Sequence, residues 1–361
     1  MNILFDINHP AHVHLLRHTY DMLVGHGHQV LVVVKEIPSA MKLLDLFGIP
    51  YLNIGKKDDA IAKKGLDQLV YDRRILKLVH QHHVEVGVGS SINLAHVSRI
   101  SGMKSIILDD DDDDAEPLFV KFGHPFADVI LSPDCIQRKS RRTIGIPSYH
   151  ELAYLHPNRF TPNPDVLREA GIEEGEPFFI MRFNAFKAHH DVGAAGLPIE
   201  NKRRLLDFLK AKGRVLITTE RDIDEEFRPY QLSVSPEKAH SLMYYATLFV
   251  GDSQTMTSEA AVLGTPAVKC NSFAGLLSVP NELERKYGLC YSFQPSQQGD
   301  FFSKIEELLA LPDLKGEWQR RRQIMLADKI DYTGFLTWFV EQFPKSKEVV
   351  QRSQECQNEF K

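Results

Sequence analysis

The chain has 361 residues, 43% hydrophobic, 25% charged and 9% aromatic, which is the balance of a globular protein too long for one ordinary core. Its four cysteines, Cys135, Cys270, Cys290 and Cys356, show no CxxC spacing, so they write neither a disulfide framework nor a zinc site, and a reducing cytoplasm is the expected setting. The net charge is −5, but seven of the 48 acids lie in one stretch, Asp109 to Asp114 plus Glu116; the rest is close to neutral, which excludes a polybasic nucleic-acid binder.

Ile3-Leu4-Phe5-Asp6-Ile7 reads as a buried strand without the basic segment or cleavage site of a secretory signal, and no apolar run approaches the ~18 residues of a membrane span. A helix over His12–Val24, stopped by Gly25 and Gly27, and a strand over Gln29–Val34 complete one βαβ unit. Strands at Val84–Val88, Lys104–Leu108 and Val129–Leu131, with helices over 66–82 and 92–101, extend it into an open parallel sheet. Pro157, Pro162, Pro164 and Pro177, interleaved with Gly171 and Gly175, mark an interdomain connection.

A second series follows, with strands at Phe178–Arg182, Arg214–Thr218, Leu248–Val250 and Ala267–Cys270 and helices at Lys202–Lys212, Ala239–Ala246, Met256–Leu263 and Phe302–Leu311. Trp318, Tyr332, Phe335, Trp338 and Phe339 predict terminal helices, and the last dozen residues, rich in Gln, Glu, Lys and Ser, a frayed end. The expected fold class is α/β, with two Rossmann-like doubly wound domains facing across a cleft. The N-terminal domain spans 1–165 and the C-terminal domain 172–330; over 331–361 a helix packs back on the first domain before the frayed tail. Ligands of such folds bind beyond the carboxyl ends of the strands, so functional residues are sought there.

The most informative segment runs from Gly251 to Pro266. A strand ends at Gly251, small polar residues follow, and a helix starting near Thr255 turns its positive end to the strand terminus, a geometry that suits a phosphate. Glu259 lies one turn further and could reach a ribose diol with its two oxygens. The plainer alternative is a capped helix in which Ser253 or Thr255 serves the amides and Glu259 is a surface charge.

The run Gly251-Asp252-Ser253, Thr255-Met256-Thr257-Ser258-Glu259-Ala260 and Leu263-Gly264-Thr265-Pro266 resembles the donor-binding motif of nucleotide-sugar enzymes of the GT-B fold, such as the UDP-N-acetylglucosamine 2-epimerases and the lipid II-forming N-acetylglucosaminyltransferase. Phe5 to Val13, Gly25-His26-Gly27-His28-Gln29-Val30, and Arg182-Phe183 with Ala188-His189-His190-Asp191 resemble an uncharacterised family of predicted glycosyltransferases allied to both. The resemblance implies a UDP-sugar substrate, with Glu259 on the donor ribose and Ser253, Gln254, Thr255, Met256, Thr257 and Arg182 around the diphosphate. It also lays the uracil against the backbone near Thr218. Relatives often have glycine where this chain has Ser253 and Gln254.

A base is needed to take a proton from an acceptor hydroxyl, and histidine suits neutral pH. His9, His12 and His14 cluster after the first strand, and His12 is the first candidate, because the related transferase places a histidine in its first loop; capping or packing is the alternative. A zinc site is not expected, since no matched fourth ligand is nearby. Arg182 is the expected cation for the departing diphosphate, with Lys187 second and His189, His190 and Asp191 in the loop beyond. Gly89-Ser90-Ser91 offers another anion or acceptor site, or an ordinary cap.

Asp109 to Asp114 follows a strand directly and is placed at the site rim. Asp109, Asp111 and Asp113 imitate a metal-carrying Asp-x-Asp spacing, but a helix N-terminus and Arg182 make Mg²⁺ redundant, so no metal or cofactor is expected. Crowded carboxylates raise one another's pKa, which makes Asp109, Asp110 and Asp111, nearest the strand, the candidate bases. The expected activity is transfer of a sugar from UDP to a hydroxyl of a surface-polysaccharide or lipid-linked glycan acceptor. A non-hydrolysing UDP-N-acetylhexosamine 2-epimerase and a non-catalytic nucleotide-sugar binder are the alternatives, and peripheral membrane attachment and a homodimer stay open.

Overall fold

The computed structural model describes residues 1–55, 61–138, 140–183, 196–219 and 223–361. The chain divides into two compact units, Met1–Arg159 with Lys329–Lys361, and Phe160–Asp328. Among the described residues no helix is long and apolar enough to cross a membrane.

In the first unit β1 (Asn2–Ile7), β2 (Gln29–Val34), β3 (Leu52–Asn53), β4 (Val86–Gly89), β5 (Lys104–Leu108), β6 (Val129–Pro133) and β7 (Thr143–Ile146) form one sheet. Its order is β3-β2-β1-β4-β5-β6-β7, and every pairing is parallel. Strands covered on both faces read as unbroken apolar runs, as Ile3 to Phe5 and Ile106 to Leu108 do; all six are at most 1% exposed. The order reverses between β1 and β4, and that switch point is where such sheets bind ligands.

The second unit holds β8 (Phe178–Arg182), β9 (Arg214–Thr218), β10 (Leu248–Gly251), β11 (Ala267–Cys270) and β12 (Cys290–Phe293). They run in the order β12-β11-β10-β8-β9, again all parallel, and here the switch point lies between β8 and β10. Gly251 pairs with Arg182 there, and a Cβ on Gly251 would run into the Arg182 carbonyl oxygen. The helix Gln254–Leu263 opens on a Ser253 cap and stops at Gly264, whose φ of +73° is the left-handed turn that glycine adopts freely.

The two doubly wound units agree with the expected fold class. Strands β3, β7 and β12 were not predicted, being short or weakly apolar. The expected frayed tail is corrected: Lys345–Arg352 is helical, Gln354–Phe360 forms 3-10 turns, and the Phe360 ring lies 5.6 Å from Phe335 and 5.5 Å from Trp338. The Phe360 ring, buried Val350 and buried Gln357, whose Nε2 donates to the Gly145 carbonyl at 3.1 Å, anchor a segment whose composition reads as disordered. Helix Tyr332–Glu341 packs along helix Pro10–Gly25 of the same unit.

Candidate functional site

In the first unit the acidic run leaves β5 at Asp109, which is only 4% exposed. Asp109 Oδ2 lies 2.7 Å from His124 Nε2, and Oδ1 lies 2.9 Å from Arg138 Nη2. Arg138 also donates to the Asp109 carbonyl at 2.8 Å and to Asp113 Oδ1 at 2.9 Å. Both ends of the Asp-x-Asp spacing are therefore bound by one guanidinium. Asp109 is a structural anchor, which corrects its expected catalytic role: nearness to the strand end buried the side chain instead of presenting it.

Asp110 is different, with 42% of its side chain exposed and Oδ1 3.1 Å from His150 Nδ1. Burial opposes its charge, but the His150 imidazole and the field of His12 outweigh that and hold the carboxyl at about 2. His150 in turn is raised: burial favours its neutral form, and Asp110 more than offsets it. Among the described residues Asp111 forms no such ion pair, and the opposing field of His150 is outweighed. Partial burial and the charges of Asp110, Glu116 and Asp109 push it up to about 7, matched to proton transfer at neutral pH. The buried Tyr332 ring stands edge-on 5.3 Å from His150, its phenol held well above the ordinary value by burial and by Asp110.

The histidines after β1 divide by role. His9 caps helix Pro10–Gly25 by accepting from the Ala11 amide, and His14 is buried against the rings of Phe47 and Tyr154. His12 Nδ1 accepts from the Asn8 amide at 3.3 Å, so in its neutral form the proton sits on Nε2 and the ring offers a donor there. A base role for His12 does not suit that tautomer. Ser91 caps helix Ile92–Ile100 and Ser90 donates to the Leu108 carbonyl, so Gly89-Ser90-Ser91 follows the capping alternative. Asp6, at the switch point, is fully buried; burial raises its pKa against the opposing effect of Lys35, Ser91 and Asn8.

In the second unit Arg182 ends β8 and Thr218 ends β9 in register, and Arg182 Nη1 donates to Thr218 Oγ1 at 3.2 Å. Beyond β10, Ser253 Oγ accepts from the Met256 amide at 3.4 Å, while the Gln254 and Thr255 amides precede the first intrahelical bond. Thr255 is exposed. Thr257 is fully buried and its hydroxyl donates to the Ser253 carbonyl at 2.6 Å, so the expected contact of Thr257 with a ligand is corrected: the side chain locks the turn from inside. Glu259 is 6% exposed with Oε1 3.1 Å from His240 Nε2, which removes the surface-charge alternative. Lys269, fully buried in β11, donates to Gln254 Oε1, and burial lowers it to about 8. Lys187, His189, His190 and Asp191 lie outside the described residues.

A family model described as "Protein of unknown function (DUF354)" matches residues 1–287. The chain belongs to this family. An uncharacterized protein of Methanocaldococcus jannaschii is 22% identical over 297 residues, covering 75% of this chain and 82% of its own. Among solved structures, S. aureus MnaA with UDP has a TM-score of 0.67 at 10% identity, covering 96% of this chain and 97% of its own. The spinosyn forosaminyltransferase SpnP has 0.62 at 15%, covering 97% and 99%. UDP-GlcNAc 2-epimerase from Neisseria meningitidis bound to UDP-GlcNAc has 0.63 at 11%, covering 95% and 99%. Likeness over whole chains at such identities establishes the GT-B fold class of this DUF354 member.

His124, Arg138, His150, His240 and Lys269 were not among the candidates read from the sequence. His150 stands four residues beyond β7, so recognising that strand would have flagged it. Lys269 had a signal of its own, an ionisable residue inside the apolar strand Ala267–Cys270.

Proposed function

We propose that this protein is a metal-independent glycosyltransferase that moves a sugar from UDP to a hydroxyl of a polysaccharide or lipid-linked acceptor. The observation that carries the reading is the second unit's switch point, where Arg182, Thr218 and the start of helix Gln254–Leu263 meet beside a buried Glu259 held by His240. A diphosphate suits the arginine and the helix dipole, and a carboxylate oriented by an imidazole suits a ribose diol. Ser253, Gln254, Thr255 and Met256 supply the turn, and the base lies near Thr218.

In the transfer, the acceptor oxygen bonds to the sugar's anomeric carbon, the bond from that carbon to the diphosphate breaks, and the acceptor proton passes to a carboxylate. Asp111 is matched to that task, with Asp110 and His150 fixing its surroundings and His12 a donor to acceptor or sugar. Arg182 and the helix start stabilise the charge that develops on the departing UDP.

Calorimetric titration with UDP tests the reading. Binding is expected in the wild type and lost or weakened at least tenfold in Glu259→Ala, and absence of UDP binding sinks it. The paired carboxyls of Asp110 and Asp111, one low and one near neutral, also suit removal of a sugar C2 proton by an epimerase. Incubation with UDP-N-acetylglucosamine alone separates the two, since only the epimerase makes a 2-epimer without an acceptor. UDP binding without turnover under either condition would leave a nucleotide-sugar binder.

A further inference from the structure

Lys269 is fully buried in β11, yet among the described residues it forms no ion pair with a carboxylate. Its ammonium donates to Gln254 Oε1, and the titratable groups that act on it are Cys290 of β12 and Glu284 of helix Ser278–Arg285. Burial pushes the Cys290 thiol up to about 12, so it is neutral, and Glu284 contributes a field without pairing. Withdrawing an ammonium from water is costly unless an opposite charge replaces the lost hydration. Lys269 has a neutral amide where a counter-ion is expected.

A lysine has three donors and no acceptor, so the Gln254 atom that faces it is the carbonyl oxygen. The amide is thereby oriented, and its NH₂ group, buried and without a hydrogen-bond partner among the described residues, is the end left to donate. Gln254 is also the first residue of helix Gln254–Leu263, at the positive end of its dipole.

We propose that Lys269 is a positioning residue for an anionic diphosphate, serving as its buried counter-charge and holding Gln254 with the NH₂ group directed to the phosphate oxygens. The inference rests on the nucleotide-sugar reading above. It carries a proton signature: burial has lowered Lys269 to about 8, and an arriving anion raises it again, so binding takes up a proton near that pH. Phosphate ionises near ~6, and the raised His150 and Asp111 are present in wild type and variant alike, so the difference in uptake between the two proteins isolates Lys269.

The experiment is calorimetry of UDP binding at pH 8 in buffers of different ionisation enthalpy, for the wild type and Lys269→Met, with melting curves of both. The wild type is expected to take up a fraction of a proton per UDP, up to about half. Lys269→Met should abolish most of that uptake and weaken UDP about tenfold, while melting at the same or a higher temperature because an uncompensated charge has gone. Lys315, also lowered to about 8 by burial, is separated by the difference between the two proteins. Unchanged affinity in Lys269→Met, or no uptake in the wild type, overturns the inference while UDP binding itself stands. Failure of the wild type to bind UDP overturns the nucleotide reading and this one together. Should Lys269→Met fail to fold, Gln254→Leu replaces it: affinity about tenfold weaker supports the relay, and unchanged affinity overturns it.

Discussion

Asp111→Asn should stabilise the protein, by an amount that grows as pH rises from about 4 to about 7. In the folded chain this carboxyl is raised from 3.8 to about 7, first by burial and then by Asp110, Glu116 and Asp109. Between those two values the native state holds a proton that the unfolded state has released, so stability falls as pH rises through the window. Just over three pH units at 1.36 kcal/mol each set an upper bound of about 4 kcal/mol by pH 8. Even a third of that moves the melting temperature of a unit this size by roughly 3–5 °C. The assay is thermal melting of both proteins from about pH 3.5 to 8, which needs no substrate. The variant should approach the wild type at the acid end, pull ahead progressively from about pH 4, and hold a constant lead above about pH 7. A difference constant across the range, or a variant that loses stability as pH rises, would refute the reasoning and with it the case for Asp111 as the proton acceptor.

Other substitutions probe the anchors around that loop and the switch point. Arg138→Ala leaves Asp109 and Asp113 without their guanidinium and should cost roughly 3–5 kcal/mol in denaturant unfolding, the range for breaking a buried pair. Gly251→Ala drives a methyl into the Arg182 carbonyl and should shift β10 from β8; normal UDP affinity in that variant would contradict the close approach. Phe360→Ala removes the ring that meets Phe335 and Trp338 and should lower stability by about 2 kcal/mol, measurable as a lower urea midpoint.

Much of the fold was legible because parallel strands covered on both faces must be continuous apolar runs, and β1, β2, β5, β8 and β10 are such runs. Thr143–Ile146 and Leu52–Asn53 escaped for the converse reason: these two edge strands are short and partly solvated, and their residues carry no such signature. The turn after β10 was legible because strand, small polar residues and helix occur in one contiguous segment. The partners that give the sites their electrostatics were not. His240 lies 19 residues from Glu259, and His150 lies 40 from Asp110, so only the sheet order brings them together. Asp109 shows the limit of position along the chain, since the residue nearest the strand end is the one most surely drawn into the interior.

The acidic run can now be separated by what each charge meets. Asp109 and Asp113 share Arg138, Asp109 also meets His124, and Asp110 meets His150, so several of the charges that set the chain's net −5 are matched within their own unit. Those pairings leave the anionic neighbours in place around Asp111, where they act together with burial in one direction. A run of like charges that would ordinarily be a liability becomes the means of keeping a single carboxyl near neutrality. Glu116 gives the least invasive test, because its side chain is exposed and it is one of the three named charges. Glu116→Gln should lower the Asp111 pKa while leaving Arg138 and His150 with their partners, and so make the Asp111→Asn stability gain smaller and level off at lower pH. A gain of unchanged size that levels off at the same pH would mean that Glu116 has no part in tuning Asp111, and that burial and the nearer aspartates set it.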